Sequence, residues 1–75
     1  MKKYLNLTGN SGVDAYETGL DYIKVRFKDY SEYLYTYSST GVADVEEMKS
    51  LAQRGQGLNS YISRIVRKRY AAKLR

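Results

Sequence analysis

An α+β fold, with a three-stranded antiparallel sheet followed by two helices, is what the sequence predicts. Three observations lead there. Two stretches in the first half alternate with a period of two, the spacing turns helical after residue 44, and 75 residues leave room for one core.

The clearest strand is residues 20–27 (Leu-Asp-Tyr-Ile-Lys-Val-Arg-Phe), which sets Ile23, Val25 and Phe27 on one face and Tyr22, Lys24 and Arg26 on the other. Glu32-Tyr-Leu-Tyr-Thr-Tyr37 alternates as well, and its aromatic and β-branched content suits a pleated surface. Between them Lys28-Asp29-Tyr30-Ser31 reads as a hairpin turn. A shorter extended piece over Gly12–Tyr16, closed by Thr18-Gly19, supplies the third strand. Residues 1–9 are expected to form a loosely ordered N-terminal segment and 10–75 a single domain.

Val45, Met48 and Leu51/Ala52 then recur at helical spacing, with acids early and Lys49 and Arg54 late, the order that complements the helix dipole. Asp44 followed by Glu47 resembles a capping box and Gly55 sits where a C-cap glycine belongs, so the first helix is expected over 44–54. A second helix can start at Asn59 or Ser60, with Leu58, Ile62, Ile65 and Val66 as its apolar stripe, and is expected to reach towards Ala72.

Composition narrows the chemistry. The chain has no Cys and no His, which removes disulfides, the usual zinc ligands and the commonest catalytic bases and nucleophiles. No serine stands near an obvious activating partner, and the acids Asp44, Glu46 and Glu47 are explained by capping and the dipole. The expectation is a non-enzymatic protein with no metal and no cofactor. Met1-Lys2-Lys3-Tyr4-Leu5-Asn6 lacks an apolar leader, and no apolar run approaches the roughly 18 residues that span a bilayer, so a cytoplasmic location without membrane attachment is expected. The second helix also has too few bulky apolar residues to anchor on a membrane surface.

The net charge of +5 is unevenly placed. Residues 1–40 are balanced, with Lys2, Lys3, Lys24, Arg26 and Lys28 against Asp14, Glu17, Asp21, Asp29 and Glu32. After Glu47 there is no acid, while Lys49, Arg54, Arg64, Arg67, Lys68, Arg69, Lys73 and Arg75 follow, which asks for an anionic partner. On a helix, Arg64, Arg67, Lys68 and Arg75 fall within an arc of roughly 100°, opposite Ile62 and Val66. That ridge is either a solvated face or an anion-binding surface, because like charges so spaced repel until something neutralises them. Arg69 and Lys73 continue the apolar stripe's own direction, so packing stops near Val66 or these side chains snorkel past it.

Nine tyrosines accompany one Phe and no Trp. Tyr33, Tyr35 and Tyr37 share a strand face, and the turn decides which. If Phe27 lies opposite Glu32, Arg26 meets Tyr33, Lys24 meets Tyr35 and Tyr22 meets Tyr37, with Val25 and Leu34 turned inward; this makes a basic aromatic platform on which bases can stack. A slip of one residue buries the three tyrosines against the helices instead. Cross-strand tyrosines also stabilise sheets by packing alone, and that reading carries more weight than nucleic-acid binding. The glycines of Arg54-Gly55-Gln56-Gly57-Leu58-Asn59-Ser60 could admit a phosphate to backbone amides, but a helix-to-helix connector explains them better.

Taken in order, Val13 to Tyr16, Ile23-Lys-Val-Arg-Phe27, Tyr35-Thr-Tyr37, Leu51-Ala-Gln-Arg-Gly-Gln-Gly-Leu-Asn59, Ile62 and Tyr70 resemble the KTSC domain, named after the C-terminal extension of some lysyl-tRNA synthetases. The family also occurs as stand-alone proteins of bacteria and their phages, the type this chain resembles, over residues 10–70. The resemblance implies the fold and the central tyrosine pair and, through the synthetase context, suggests RNA binding. The proline frequent in that family after the Tyr-x-Tyr strand is replaced here by Ser38-Ser39-Thr40-Gly41, which leaves the start of the first helix open.

Two functional expectations follow. One is a module binding RNA or single-stranded nucleic acid, with Arg64, Arg67, Lys68 and Arg75 on phosphates and Lys24, Arg26, Tyr33, Tyr35 and Tyr37 as the sheet platform. The other is a protein-interaction module or homo-oligomer, docking through an edge strand or the Leu58/Ile62/Tyr70 face.

Overall fold

The alternating stretches do become strands, and the sheet they start extends at both ends. The structure, a computed structural model, describes residues 1–9 and 11–75; Asn10, the first residue of the expected domain, lies outside them. Among the described residues the elements are β1 (Lys2–Lys3), β2 (Val13–Thr18), β3 (Tyr22–Phe27), β4 (Glu32–Thr36), α1 (Tyr37–Thr40), α2 (Val42–Arg54), α3 (Leu58–Tyr61), a π-helical turn (Ile62–Val66) and β5 (Ala72–Lys73). The class is α+β, with five antiparallel strands in the order β1-β2-β3-β4-β5 rather than three. The added strands are two-residue edges. Lys2 and Lys3 pair with Tyr16 and Ala15, and Lys73 and Ala72 pair with Tyr33 and Leu34. No helix among the described residues is long and apolar enough to cross a membrane.

One turn sets the faces of the sheet. Phe27 N–H donates to Ser31 O and Tyr30 N–H to Phe27 O, with Tyr30 at φ +68°, so the hairpin loop holds three residues, Lys28 to Tyr30, and its last residue is left-handed. The Asp29 carboxylate stabilises this loop by accepting from both the backbone N–H and the hydroxyl of Ser31. An odd loop shifts the expected register by one: Arg26 faces Glu32, Val25 faces Tyr33, Lys24 faces Leu34, Ile23 faces Tyr35 and Tyr22 faces Thr36. Ile23, Val25 and Tyr35 therefore enter the core together with Val13 and Tyr16, while Leu34 turns to the other face with Lys24 and Arg26. The platform interleaving Lys24 and Arg26 with the tyrosines does not form.

The helices cover the inner face. Val45, Met48, Leu51 and Ala52 of α2 are buried there. Its N-cap is Gly41 without a side-chain bond; the capping box lies one element earlier, where Thr36 and Ser39 bond reciprocally at the start of α1. Asp44 is thus free for other partners. Gly55 ends α2 as expected, at φ +78° with its N–H on Leu51 O and Ala52 O, and a Cβ there would lie 2.5 Å from Leu5 Cβ.

The second helix departs most from expectation. It starts at Leu58 behind Gly57, widens into the π turn and stops at Val66, well short of Ala72. The wider turn keeps Ile62 and Val66 in line with Leu58, all three buried, and swings Ile65 outward to half exposure. Of the expected Leu58/Ile62/Tyr70 face, Leu58 and Ile62 are buried in the core and Tyr70 stays partly exposed. The N-terminal residues contribute too: Tyr4 is buried and its hydroxyl accepts from Leu58 N–H at 3.3 Å.

Candidate functional site

Where the helix stops, the chain makes a sharp turn against the hairpin loop. Arg67 has φ +51° and ψ −119°, and Arg69 N–H donates to Val66 O at 3.1 Å. These angles are those of the first central residue of a type II′ turn, a position that glycine dominates. An arginine there is strained by about 1–3 kcal/mol, and such strain persists only where the surroundings enforce it.

The enforcing contacts lie on either side. Upstream, Val66 is fully buried and Arg67 N–H closes the π turn onto Ile62 O. Downstream, Arg69 Nη1 donates to Thr40 O at 2.9 Å while the buried Thr40 hydroxyl donates back to Arg69 O at 2.8 Å. Arg69 also pairs with Asp44, which accepts the Tyr61 hydroxyl at 2.7 Å. The Tyr61 bond and the Arg69 guanidinium hold the Asp44 carboxyl below its usual value. Burial and the bond to Asp44 push the Tyr61 phenol up to about 12. Arg67 and Lys68 are therefore held at the apex of a turn clamped from both ends.

That apex borders a shallow cleft of about 510 Å³, closed on the other side by β4 and the hairpin loop. Its aromatic wall is Phe27, Tyr33, Tyr35 and Tyr70. Tyr33 and Tyr70 lie 4.8 Å apart at 59°, and Phe27–Tyr33 and Tyr35–Tyr70 meet edge to face at 5.7 and 6.2 Å. Tyr35 forms the floor, and its burial, reinforced by Tyr33 and Tyr70, raises its pKa beyond any physiological range, so it stays neutral. Lys28, Arg67 and Lys68 line the rim, and none of them makes an ion pair among the described residues. Asp29 is the one acid of the lining, kept ionised by the hydroxyl and N–H of Ser31.

Of the residues expected to form a site, the fold gathers Arg67, Lys68, Tyr33 and Tyr35 in this cleft. The single ridge of Arg64, Arg67, Lys68 and Arg75 does not exist, because the helix ends before three of them. Arg64 faces a separate groove with Glu47, Tyr61 and Ile65, and Arg75 pairs with Glu32 at 3.6 Å. Lys24 and Arg26 lie on the outer face, paired with Glu17 at 3.6 Å and Asp14 at 2.9 Å. Tyr37 opens α1, donating its hydroxyl to Glu46, with Lys49 Nζ 5.5 Å above its ring. Phe27, Lys28 and Asp29 were not assigned to a site from sequence, and Tyr70 was named there only as part of the Leu58/Ile62/Tyr70 docking face and of the family resemblance. Lys28 and Asp29 were legible only as a turn, and Tyr70 was expected inside a longer helix rather than against β4. The arrangement can bind a planar apolar group against the rings and an anion at the rim.

Comparison with known proteins matches no family model, no curated protein and no solved structure.

Proposed function

We propose that this is a small, non-enzymatic binding module of KTSC-like type that takes RNA or another single-stranded nucleic acid in the cleft between the hairpin loop and the Arg67-Lys68 turn. The observation that carries this reading is the meeting of three partly exposed aromatic rings, Phe27, Tyr33 and Tyr70, with three cations that lack protein counter-charges. Bases stack on such rings for about 1–3 kcal/mol each, and unpaired cations give phosphates their binding energy by releasing counterions. The arginine at a turn position that glycine favours supports it, since it holds a cation at the border of the cleft despite the positive φ. The resemblance to KTSC domains favours RNA.

Fluorescence anisotropy of a labelled single-stranded RNA across a salt series tests the proposal. Three rim cations imply a log–log slope no steeper than about −2. Binding indifferent to salt would contradict it. A second reading, a protein partner or a second copy of the chain, draws on Leu5 and Leu7, 65% and 64% exposed in one segment beside Gly55. A mass above the monomer in light scattering, abolished by Leu5→Ser/Leu7→Ser, would favour it.

A further inference from the structure

Resting on the nucleic-acid reading, we propose that the cleft holds one nucleotide rather than tracking a strand, with its phosphate at Lys28, Arg67 and Lys68 and its base on the Tyr33/Tyr70 wall, the amino edge towards Asp29. Three features limit the site to one unit. Its volume of about 510 Å³ is in the lower half of the roughly 300–1,000 Å³ typical of small-molecule sites. The rings spend much of their surface on one another, and Lys73 Nζ stands 5.8 Å over the Tyr33 ring, so a second base finds no free face in line with the first. Beyond the rim most nearby cations are paired, Arg69 with Asp44, Arg75 with Glu32 and the outer-face Lys24 and Arg26 with Glu17 and Asp14, which leaves Lys73, over the Tyr33 ring, unpaired among the described residues.

Asp29 supplies the orientation. Its Oδ1 is taken by Ser31 N–H and by Ser31 Oγ, which donates at 2.6 Å, and Oδ2 has no hydrogen-bond partner among the described residues. A fixed carboxylate repels phosphate and accepts from N–H donors, so the phosphate goes to the Arg67-Lys68 turn and a donor-rich base edge comes to Asp29. Guanine, with a ring N–H beside an amino group, fits best; uracil, whose ring N–H is flanked by carbonyls, fits worst. The same chemistry could come from a free nucleotide or from the 5′-phosphorylated end of an RNA.

Calorimetric titrations at low salt with guanosine 5′-monophosphate, guanosine, uridine 5′-monophosphate and twelve-nucleotide single-stranded RNAs, with and without a 5′-phosphate, test this. Guanosine 5′-monophosphate should saturate one site per chain, with guanosine and uridine 5′-monophosphate each about tenfold weaker. The RNAs should bind less than about thirtyfold tighter than the nucleotide, because additional units meet no further ring of the cleft and one unpaired cation, Lys73, beside it. Preference for the 5′-phosphorylated RNA assigns the site to strand ends; its absence leaves the free nucleotide as the ligand. Asp29→Asn, which keeps the turn bond through its carbonyl, should erase most of the guanylate preference. RNA binding more than thirtyfold tighter than the nucleotide overturns the one-nucleotide site while leaving nucleic-acid binding intact. Failure of every ligand to bind overturns both, and equal affinity of guanylate and uridylate overturns the role of Asp29.

Discussion

The two faces of the sheet carry the same kinds of residue to different effect. On the outer face Tyr22, Lys24 and Arg26 stand beside Glu17 and Asp14, and every one has a partner there: Tyr22 hydroxyl on Glu17 at 3.1 Å, Lys24 on the same carboxylate, Arg26 on Asp14. On the inner face Tyr33, Tyr35 and Tyr70 stand beside Lys28, Arg67 and Lys68, whose charges are left open. Positive charge alone therefore does not mark an interface. The outer cations are neutral structure, and exposed pairs of that kind contribute about 0.2–1 kcal/mol each. The inner ones meet apolar rings and lack acids, apart from one fixed carboxylate that gives the cleft polarity.

The sharpest test of the contrast is between tyrosines. Tyr35→Ala removes a ring that is only 1% exposed and should lower stability in urea unfolding by about 3–5 kcal/mol, whereas Tyr22→Ala on the outer face should cost under about 1 kcal/mol. Similar losses would mean that the two faces are packed alike. A smaller effect of opposite sign is expected at the turn. Arg67→Gly relieves the positive φ and should raise stability by about 1 kcal/mol while weakening RNA binding about tenfold, a trade expected where function maintains strain. A glycine that destabilised the fold would mean that the arginine is structural.

How much of this was legible in the sequence depended on local signals. Ile23, Val25 and Phe27 declared their strand by alternation, and Gly55 declared the end of α2 by its position. The register of β3 against β4 was not legible, because Tyr30 gives no sign that it will be left-handed, as glycine would, and one residue of loop length turns every tyrosine over. The early end of the second helix was hidden for a similar reason. Residues 67–70 contain neither glycine nor proline, and the chain beyond the helix end is held by the distant Thr40 and Asp44 on Arg69, with Tyr61 bonded to Asp44. Asp44 looked like a helix cap because its role there requires a partner 25 residues away. The basic character of the site could be read; its place between a turn and a hairpin loop is a tertiary fact.

Nucleic acid is expected to bind at the inner rim and not on the outer face, and charge-matched double variants measure this directly. Anisotropy with one labelled single-stranded RNA at low salt should show Arg67→Ala/Lys68→Ala weakened by about thirtyfold, near 1 kcal/mol per cation, and Lys24→Ala/Arg26→Ala within about twofold of the parent chain. Equal losses from the two pairs would show binding that follows net charge alone, and would contradict the cleft as the site.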